Sequence, residues 1–469
     1  MITELAYSAG HGFLPESVMD FMGQWTRAAA RLKTQPKFFR VEEQSTADMR
    51  CTTEAESDIG NGRLFGSGSD SGGDKIALTM VKKCHTTPTG IDRLIAAVTD
   101  PTSGRKVRAT YAGLKDRWAI TSQRVVLEGA RWEDVVRACM PDAQQLDEVG
   151  IFFKDPVRTH KHLSRGHLIG NNFIIKVMVA GMSASQLEEY VAPRVAHLTR
   201  GGRIIIPNAF GRQRLGKRQN LFGVGHDFIV HGPEVGIKRF LTETSPNESP
   251  WAAEVRGKLL AEWEAAEVKA AANGNTVAQQ IMHLQGMREI LEQGGPDRAP
   301  FKKLNMTIEH RIVCQLLKTL DYEKTLRALY EDFSLWTGAY QGYWFNQVLA
   351  AALTGEITLD NQDDPEARIP LYMDEQRSLR FYRRFAPEAV QTQIDPLVRE
   401  LFLTPQHKHD RGPRRPLFVP VGGLSYDCED GAVNMGFSLP KGAYATTFLG
   451  ILFAVEGDQE APPTALLKE

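Results

Sequence analysis

The apolar residues of this chain change their spacing twice, and that limits the folds open to it. Between Ile76 and Ile206, short strand-like runs alternate with helical ones. From residue 208 to 416 the apolar series are helical, and residues 434–455 return to strand-like composition. A terminal strand must pair with strands made much earlier, so the chain is expected to be α+β and discontinuous. The expected sheet domain, mixed or antiparallel, comprises residues 1–207 and 417–469, and residues 208–416 form a largely helical insertion. A length of 469 residues, too great for one compact core, agrees with this division.

Within the first segment, Val18, Phe21, Met22, Trp25, Ala29 and Leu32 are spaced for an N-terminal helix. Residues 58–74, rich in Gly, Ser and Asp, suit a mobile hairpin tip. Ile76–Val81 reads as a strand, and Thr86–Thr89 opens a helix carrying Ile91, Leu94, Ile95 and Val98. His167–Val179 reads as a long strand, Ser185–Glu188 as a capping box for a helix ending near residue 199, and Arg203–Ile206 as a buried strand. Helical spacing then occupies 252–293, broken near Asn273-Gly274-Asn275, and 306–320, 323–332 and 340–353.

Composition excludes several classes. Hydrophobic residues make up 42% and charged residues 24%, ordinary globular proportions. There is no apolar run of about eighteen residues and no signal-peptide pattern at the start, so a cytoplasmic protein away from membranes is expected. Cys51, Cys84, Cys139, Cys314 and Cys428 are scattered, which signals neither a disulfide framework nor a zinc knuckle. His160 with His162, and His407 with His409, lack a third ligand nearby, so no metal is expected. The net charge of −1 is unusual for a nucleic-acid enzyme, but it conceals local runs. Arg194, Arg200, Arg203, Arg212, Arg214, Lys217 and Arg218 have no acidic residue among them, and Lys408, Arg411, Arg414 and Arg415 follow later with only Asp410. Each run suits a solvated face; together they suit the walls of an anion-binding cleft.

Residues 109–123 place a Lys115-Asp116-Arg117 cluster between two apolar strands. A carboxylate between two cations stays ionised even when partly desolvated, which makes Asp116 a candidate nucleophile or base. A solvated, salt-bridged hairpin tip is the alternative.

The stretch Tyr111 to Gln123 resembles the signature loop of the TruD family of tRNA pseudouridine synthases, Ala-Gly-x-Lys-Asp-(Lys/Arg)-x-Ala-(Val/Ile)-Thr-x-Gln. Four further blocks are similar to that family's and occur in its order: Lys33 to Glu43, Gly170 to Phe173, Ile206 to Gly216 and Leu439 to Thr446. The resemblance implies a pseudouridine-synthase sheet domain with an inserted TRUD domain. It also implies isomerisation of uridine in tRNA, with uridine 13 as the target and Asp116 as the catalytic nucleophile. It places Lys33 beside that carboxylate, with Glu43 pairing with Lys33 or a nearby cation, and assigns substrate contacts to Phe39, Asn171 and Tyr444. Tyr444 stands where the family commonly has phenylalanine, and Lys37 and Phe38 stand where it often has acidic residues.

The reaction breaks the N1–C1′ bond, turns the bound base and joins C5 to the same carbon. It involves no redox or phosphoryl transfer and so needs no cofactor. A carboxylate can serve as nucleophile at C1′ or base at the 2′ position. A flipped base needs an aromatic clamp, for which Phe39, Phe173 and Tyr444 are candidates, and a polar edge contact, for which Asn171 offers donor and acceptor. Packing in the core is the rival reading for the phenylalanines. Arg214 is the candidate phosphate contact and Phe210 either a substrate contact or a turn residue. The expected partner is tRNA, with the protein acting as a monomer. Three readings stay open: an RNA-binding or chaperone protein of the same fold, a synthase acting on another RNA, and a glycosidase needing a second carboxylate.

Overall fold

The computed structural model describes residues 25–46, 49–58, 73–99, 105–139, 143–216, 218–272, 276–293, 306–360, 367–404 and 413–455. These fall into two units, one of residues 25–206 with 419–455, the other of 207–418. The first is built on β1 (Phe39–Thr46), β2 (Lys75–Lys83), β3 (Arg108–Tyr111), β4 (Ile120–Glu128), β5 (Ile151–Thr159), β6 (Gly170–Met178), β7 (Arg203–Pro207), β8 (Phe418–Glu429) and β9 (Ala432–Pro440). With two short strands they form an eleven-stranded sheet in the order β5-β2-β4-β1-β6-β9-β8-β7, with β3 paired to β4. The β1–β4 pair is parallel, whereas β2–β4, β2–β5, β1–β6, β6–β9 and β8–β9 are antiparallel. The fold is therefore α+β with a mixed sheet.

Strand register decides which residues share a face. Lys82 lies opposite Thr121, Thr121 opposite Val41, Val41 opposite Phe173 and Phe173 opposite Phe437, a single row across five strands. Side chains alternate along each strand, so Leu78 and Met80 share this face with Lys82, and Val125 and Leu127 share it with Gln123. One end of the face is covered by Ile91, Leu94 and Val98 of helix Thr87–Val98 and by Val135, which pack on Leu78, Met80, Val125, Leu127, Ile151 and Phe153. The Thr86 side chain caps that helix by accepting from the Thr89 N–H. Toward the other end, Phe437 stacks on Phe173 at 5.3 Å and meets Phe448 of helix Ala445–Leu452 edge-on at 4.9 Å. Between these two covered ends lies a polar strip.

The second unit is helical. Its spine, helix Tyr330–Thr354, buries Phe333, Trp336, Tyr340, Phe345 and Val348. Helix Leu221–His231 approaches it at Gly225, where a Cβ would lie 2.2 Å from the Trp336 carbonyl oxygen, so only glycine fits. The unit's two chain ends are tied together by a buried pair. Asn208 donates its N–H to the Leu417 carbonyl (2.7 Å), while Arg415 donates to the Asn208 carbonyl (2.9 Å) and Oδ1 (2.7 Å). Among the described residues no helix is long and apolar enough to cross a membrane.

Several elements depart from the sequence reading. Residues 25–32 are not helical: Ala29–Ala30 pairs in parallel with Ala454–Val455, and Arg31 exchanges backbone hydrogen bonds with Met178. Sheet-edge pairing overrides the helical spacing there; Val18, Phe21 and Met22 lie outside the described residues, as does most of the expected hairpin tip at 58–74. The capping box is Ser183 with Gln186, so helix Ala184–Leu198 begins earlier than Ser185 implied. In β7 only Ile206 and Pro207 are buried. Residues 434–455 are not all strand, because Ala445–Leu452 is a helix, and β8 begins the return to the sheet. The helical segments expected at 323–332 and 340–353 divide instead at Leu329, into Tyr322–Ala328 and Tyr330–Thr354.

Candidate active site

The loop joining β3 to β4 sits over the polar strip and is pinned from beneath. Gln123 donates to the Gly113 carbonyl (3.0 Å), and the Thr87 hydroxyl accepts from the Lys115 N–H (3.1 Å) while donating to Gln123 Oε1 (2.9 Å). Lys82 Nζ donates to the Asp116 carbonyl at 2.7 Å and lies 3.4 Å from that of Lys115. These anchors come from two strands and a helix N-terminus, so the loop is carried by rigid elements. They leave the Asp116 side chain partly open.

Asp116 Oδ1 is met by Lys33 Nζ at 3.4 Å, with side chains 27% and 7% exposed respectively. Lys33 holds a left-handed backbone, φ +57°, which costs a non-glycine residue about 1–2 kcal/mol. Trp118 Nε1 secures it by donating to the Lys33 carbonyl at 2.8 Å, and the ammonium lies 4.6 Å from the centre of the Phe39 ring.

The cations adjacent to Asp116 in sequence are deployed differently from the expectation. Lys115 turns inward to Glu43 Oε2 (2.9 Å) and Asn171 Oδ1 (2.6 Å), and Arg117 is exposed. Glu43 is fully buried, and its Oε1 accepts from the Arg124 N–H and the Ser45 hydroxyl, both at 3.1 Å. Glu43 thus pairs with Lys115, not Lys33. Asn171 Oδ1 accepts from Lys115, and its amide N–H groups are donors it can offer a ligand. Burial pushes the Lys82 ammonium down to about 8, the Asp116 charge opposing the shift and Lys115 adding to it.

Asp116, Lys33, Glu43 and Asn171 are therefore brought together, with Lys115 and Lys82 between them. Phe39 and Phe173 are buried and 6.5 Å apart edge-on, forming the floor beneath the site. Tyr444 is half-buried and follows the end of β9, whose register sets Leu439 opposite Asn171. Phe210 and Arg214 form a separate cluster in the helical unit. Asn346 clasps the Phe210 backbone from both sides (2.8 and 3.0 Å), and the Arg415 guanidinium lies 3.9 Å from the Phe210 ring centre. Arg214 donates Nε to the Gly338 carbonyl at 2.9 Å.

Lys82 and Thr87 are the site residues that sequence reading missed, and Gln123 entered it only as a motif position. Strand parity held the signal: Lys82 continues the inward series Leu78, Met80, and Gln123 begins the inward series Val125, Leu127. A polar residue in an inward series must have a buried partner.

Lys217 lies outside the described residues, and three other cations of the basic runs are engaged within the protein. Arg194 stacks on Tyr190, its guanidinium carbon 3.4 Å from the ring centre, Arg218 donates to the Glu243 and Phe240 carbonyls (both 2.7 Å), and Arg415 is buried on Asn208. Lys408 and Arg411 lie outside the described residues. A groove of about 570 Å³ takes in Asn172, Ile174, Asn434 and Ser438, residues of the opposite face, and Asp116 does not line it. Among the described residues no three His, Cys, Asp or Glu side chains form a metal-holding group.

A model of the family described as tRNA pseudouridine synthase D (TruD) matches residues 21–367. A "probable tRNA pseudouridine synthase D" of Methanopyrus kandleri is 28% identical, over 74% of this chain and 78% of its own. The tRNA pseudouridine synthase D of Geobacter metallireducens is 25% identical, over 80% of this chain and 88% of its own. The crystal structure assigned to TruD from Methanosarcina mazei aligns with a TM-score of 0.55 at 16% identity, covering 94% of this chain and 99% of that one, a likeness of fold. With most of its length matched by the family model, this chain belongs to the TruD family of pseudouridine synthases.

Proposed function

We propose that this protein converts uridine to pseudouridine in tRNA, at uridine 13, with Asp116 as nucleophile. The observation that carries the reading is a partly exposed carboxylate on a pinned loop, faced by a buried ammonium at 3.4 Å. A carboxylate held that way is aimed before substrate arrives, and aiming contributes only if something must approach it. An Asp116 oxygen attacks C1′, and the electron pair of the N1–C1′ bond passes to the uracil, which stays bound. After the base turns, C5 attacks C1′ and the carboxylate leaves; the C5 proton is then lost and N1 takes one up, which restores the ring as an isomer of the starting uracil. Atoms and electrons balance without a cofactor.

Asn171 would donate to a uracil carbonyl, Tyr444 would cover the base, and Phe39 and Phe173 would support the pocket from below. Arg214 would contact a tRNA phosphate, and Phe210 would contact substrate or hold the turn that carries it. The glycosidase reading loses support because the second carboxylate of this cluster, Glu43, is fully buried and committed to Lys115. The reading places the enzyme in the cytoplasm, acting as a monomer on tRNA.

The test is incubation of wild type and Asp116→Ala with unmodified tRNA transcripts, mapping pseudouridine at single-nucleotide resolution. Product at uridine 13 from wild type alone supports the reading. Product from both removes Asp116 from its role, and RNA binding without product favours a non-catalytic binder or another RNA.

A further inference from the structure

Lys82 has no exposed surface, yet its ammonium is spent on the loop that carries Asp116. Its Nζ donates to the Asp116 carbonyl at 2.7 Å and lies 3.4 Å from the carbonyl of Lys115. An ammonium has three donors and no acceptor, so two consecutive carbonyls converge on one charge. Neither the 115–116 nor the 116–117 peptide can rotate without giving up a charge-assisted contact. A neutral glutamine could satisfy carbonyls at far less desolvation cost, so a purely supporting role does not account for a buried cation here.

We infer that Lys82 is a positioning residue for the reaction: its ammonium fixes the backbone carbonyls on both sides of the Asp116 Cα, and its charge holds the loop that aims the Asp116 carboxylate. This rests on Asp116 being the nucleophile. The groups facing Lys82 are Asp116 and Lys115 on the loop and Cys84 just past the end of its own strand. Asp116 and Cys84 favour its charged form, while Lys115 and burial disfavour it. Lys33 reaches the same carboxylate. With the ammonium pushed down to about 8, the site holds this charge below that pH and loses it above.

The experiment is single-turnover pseudouridine formation on unmodified tRNA from about pH 6 to about 9.5, with tRNA affinity measured at each pH. Wild type is compared with Lys82→Met and with Thr87→Val, which loosens the same loop without removing a charge. Wild type should lose about tenfold in rate per pH unit above about pH 8. Lys82→Met should be slowed by about a hundredfold or more at neutral pH, keep its tRNA affinity within about threefold, and show no alkaline limb. Thr87→Val should be slower but keep the limb. A Lys82→Met rate within about threefold of wild type, or a limb that persists in it, overturns the inference. If Lys82→Met does not fold, the profile of Cys84→Ala decides: a limb near pH 8 supports the inference and a flat profile with tRNA bound overturns it. Absence of product from wild type would instead sink the reaction assignment, and this inference with it.

Discussion

Each unit buries charge, but the two do so in opposite ways. In the helical unit, Arg256 meets Glu248 at 2.7 Å and Glu309 at 2.6 Å, and also donates to the carbonyls of Phe240 and Leu241. That guanidinium is buried and enclosed by acceptors on several sides. In the sheet unit, three lysines, Lys33, Lys82 and Lys115, gather around two carboxylates, Asp116 and Glu43. The cluster carries surplus positive charge at a partly open position. A saturated network serves stability; one with excess cation suits an anionic ligand, as the proposed RNA substrate would be. A protein of net charge −1 can therefore serve RNA through local charge balance.

The strongest way to break this comparison is to remove the carboxylate from the open cluster. Asp116→Ala should reduce single-turnover rate on the order of 10⁴-fold while its melting temperature stays near that of wild type. A large loss of stability would mean that the cluster is structural after all. The converse variant is Arg256→Met, which strands two buried carboxylates and should cost about 3–5 kcal/mol of stability, read by denaturant titration. Its folded fraction should keep wild-type kcat. Next in size is Lys33→Met, expected to lower kcat about a hundredfold with little change in tRNA affinity, since it meets the carboxylate rather than bulk solvent.

The sheet-helix-sheet order was legible in the sequence because it rests on apolar spacing, which burial enforces directly. Asp116, Lys33, Glu43 and Asn171 were legible as a set through the resemblance, which also put Lys33 beside Asp116, but the turn of Lys115 inward to Glu43 and Asn171 was not. Sequence neighbours suggested Lys115 and Arg117 as the partners of Asp116, whereas an extended loop sends successive side chains in different directions. Lys33 and Lys82 reach the loop from separate strands of chain, a matter of register that no local pattern encodes. The same limit explains Ala29–Ala30, where helical spacing lost to pairing with Ala454–Val455, and Arg415, whose place in a charge run concealed its buried bond to Asn208. Charge runs report composition along the chain, while solvation is decided by packing.

The smallest effect sharpens the comparison at the rim of the site. Tyr444 is half-buried where the chain leaves β9, and its ring, more than its hydroxyl, is what a flipped base would stack on. Tyr444→Phe keeps the ring and should change kcat/KM by about threefold or less, whereas Tyr444→Ala should lower it by about tenfold or more. Equal losses in the two variants would mean that the hydroxyl contacts substrate, and the open cluster would then extend beyond the lysines to a neutral donor. Equal and negligible losses would place the base elsewhere. The hydroxyl then becomes a surface group, and the aromatic contribution reduces to the Phe39–Phe173 floor, whose edge-on rings stabilise the strip carrying Asn171 without touching the base.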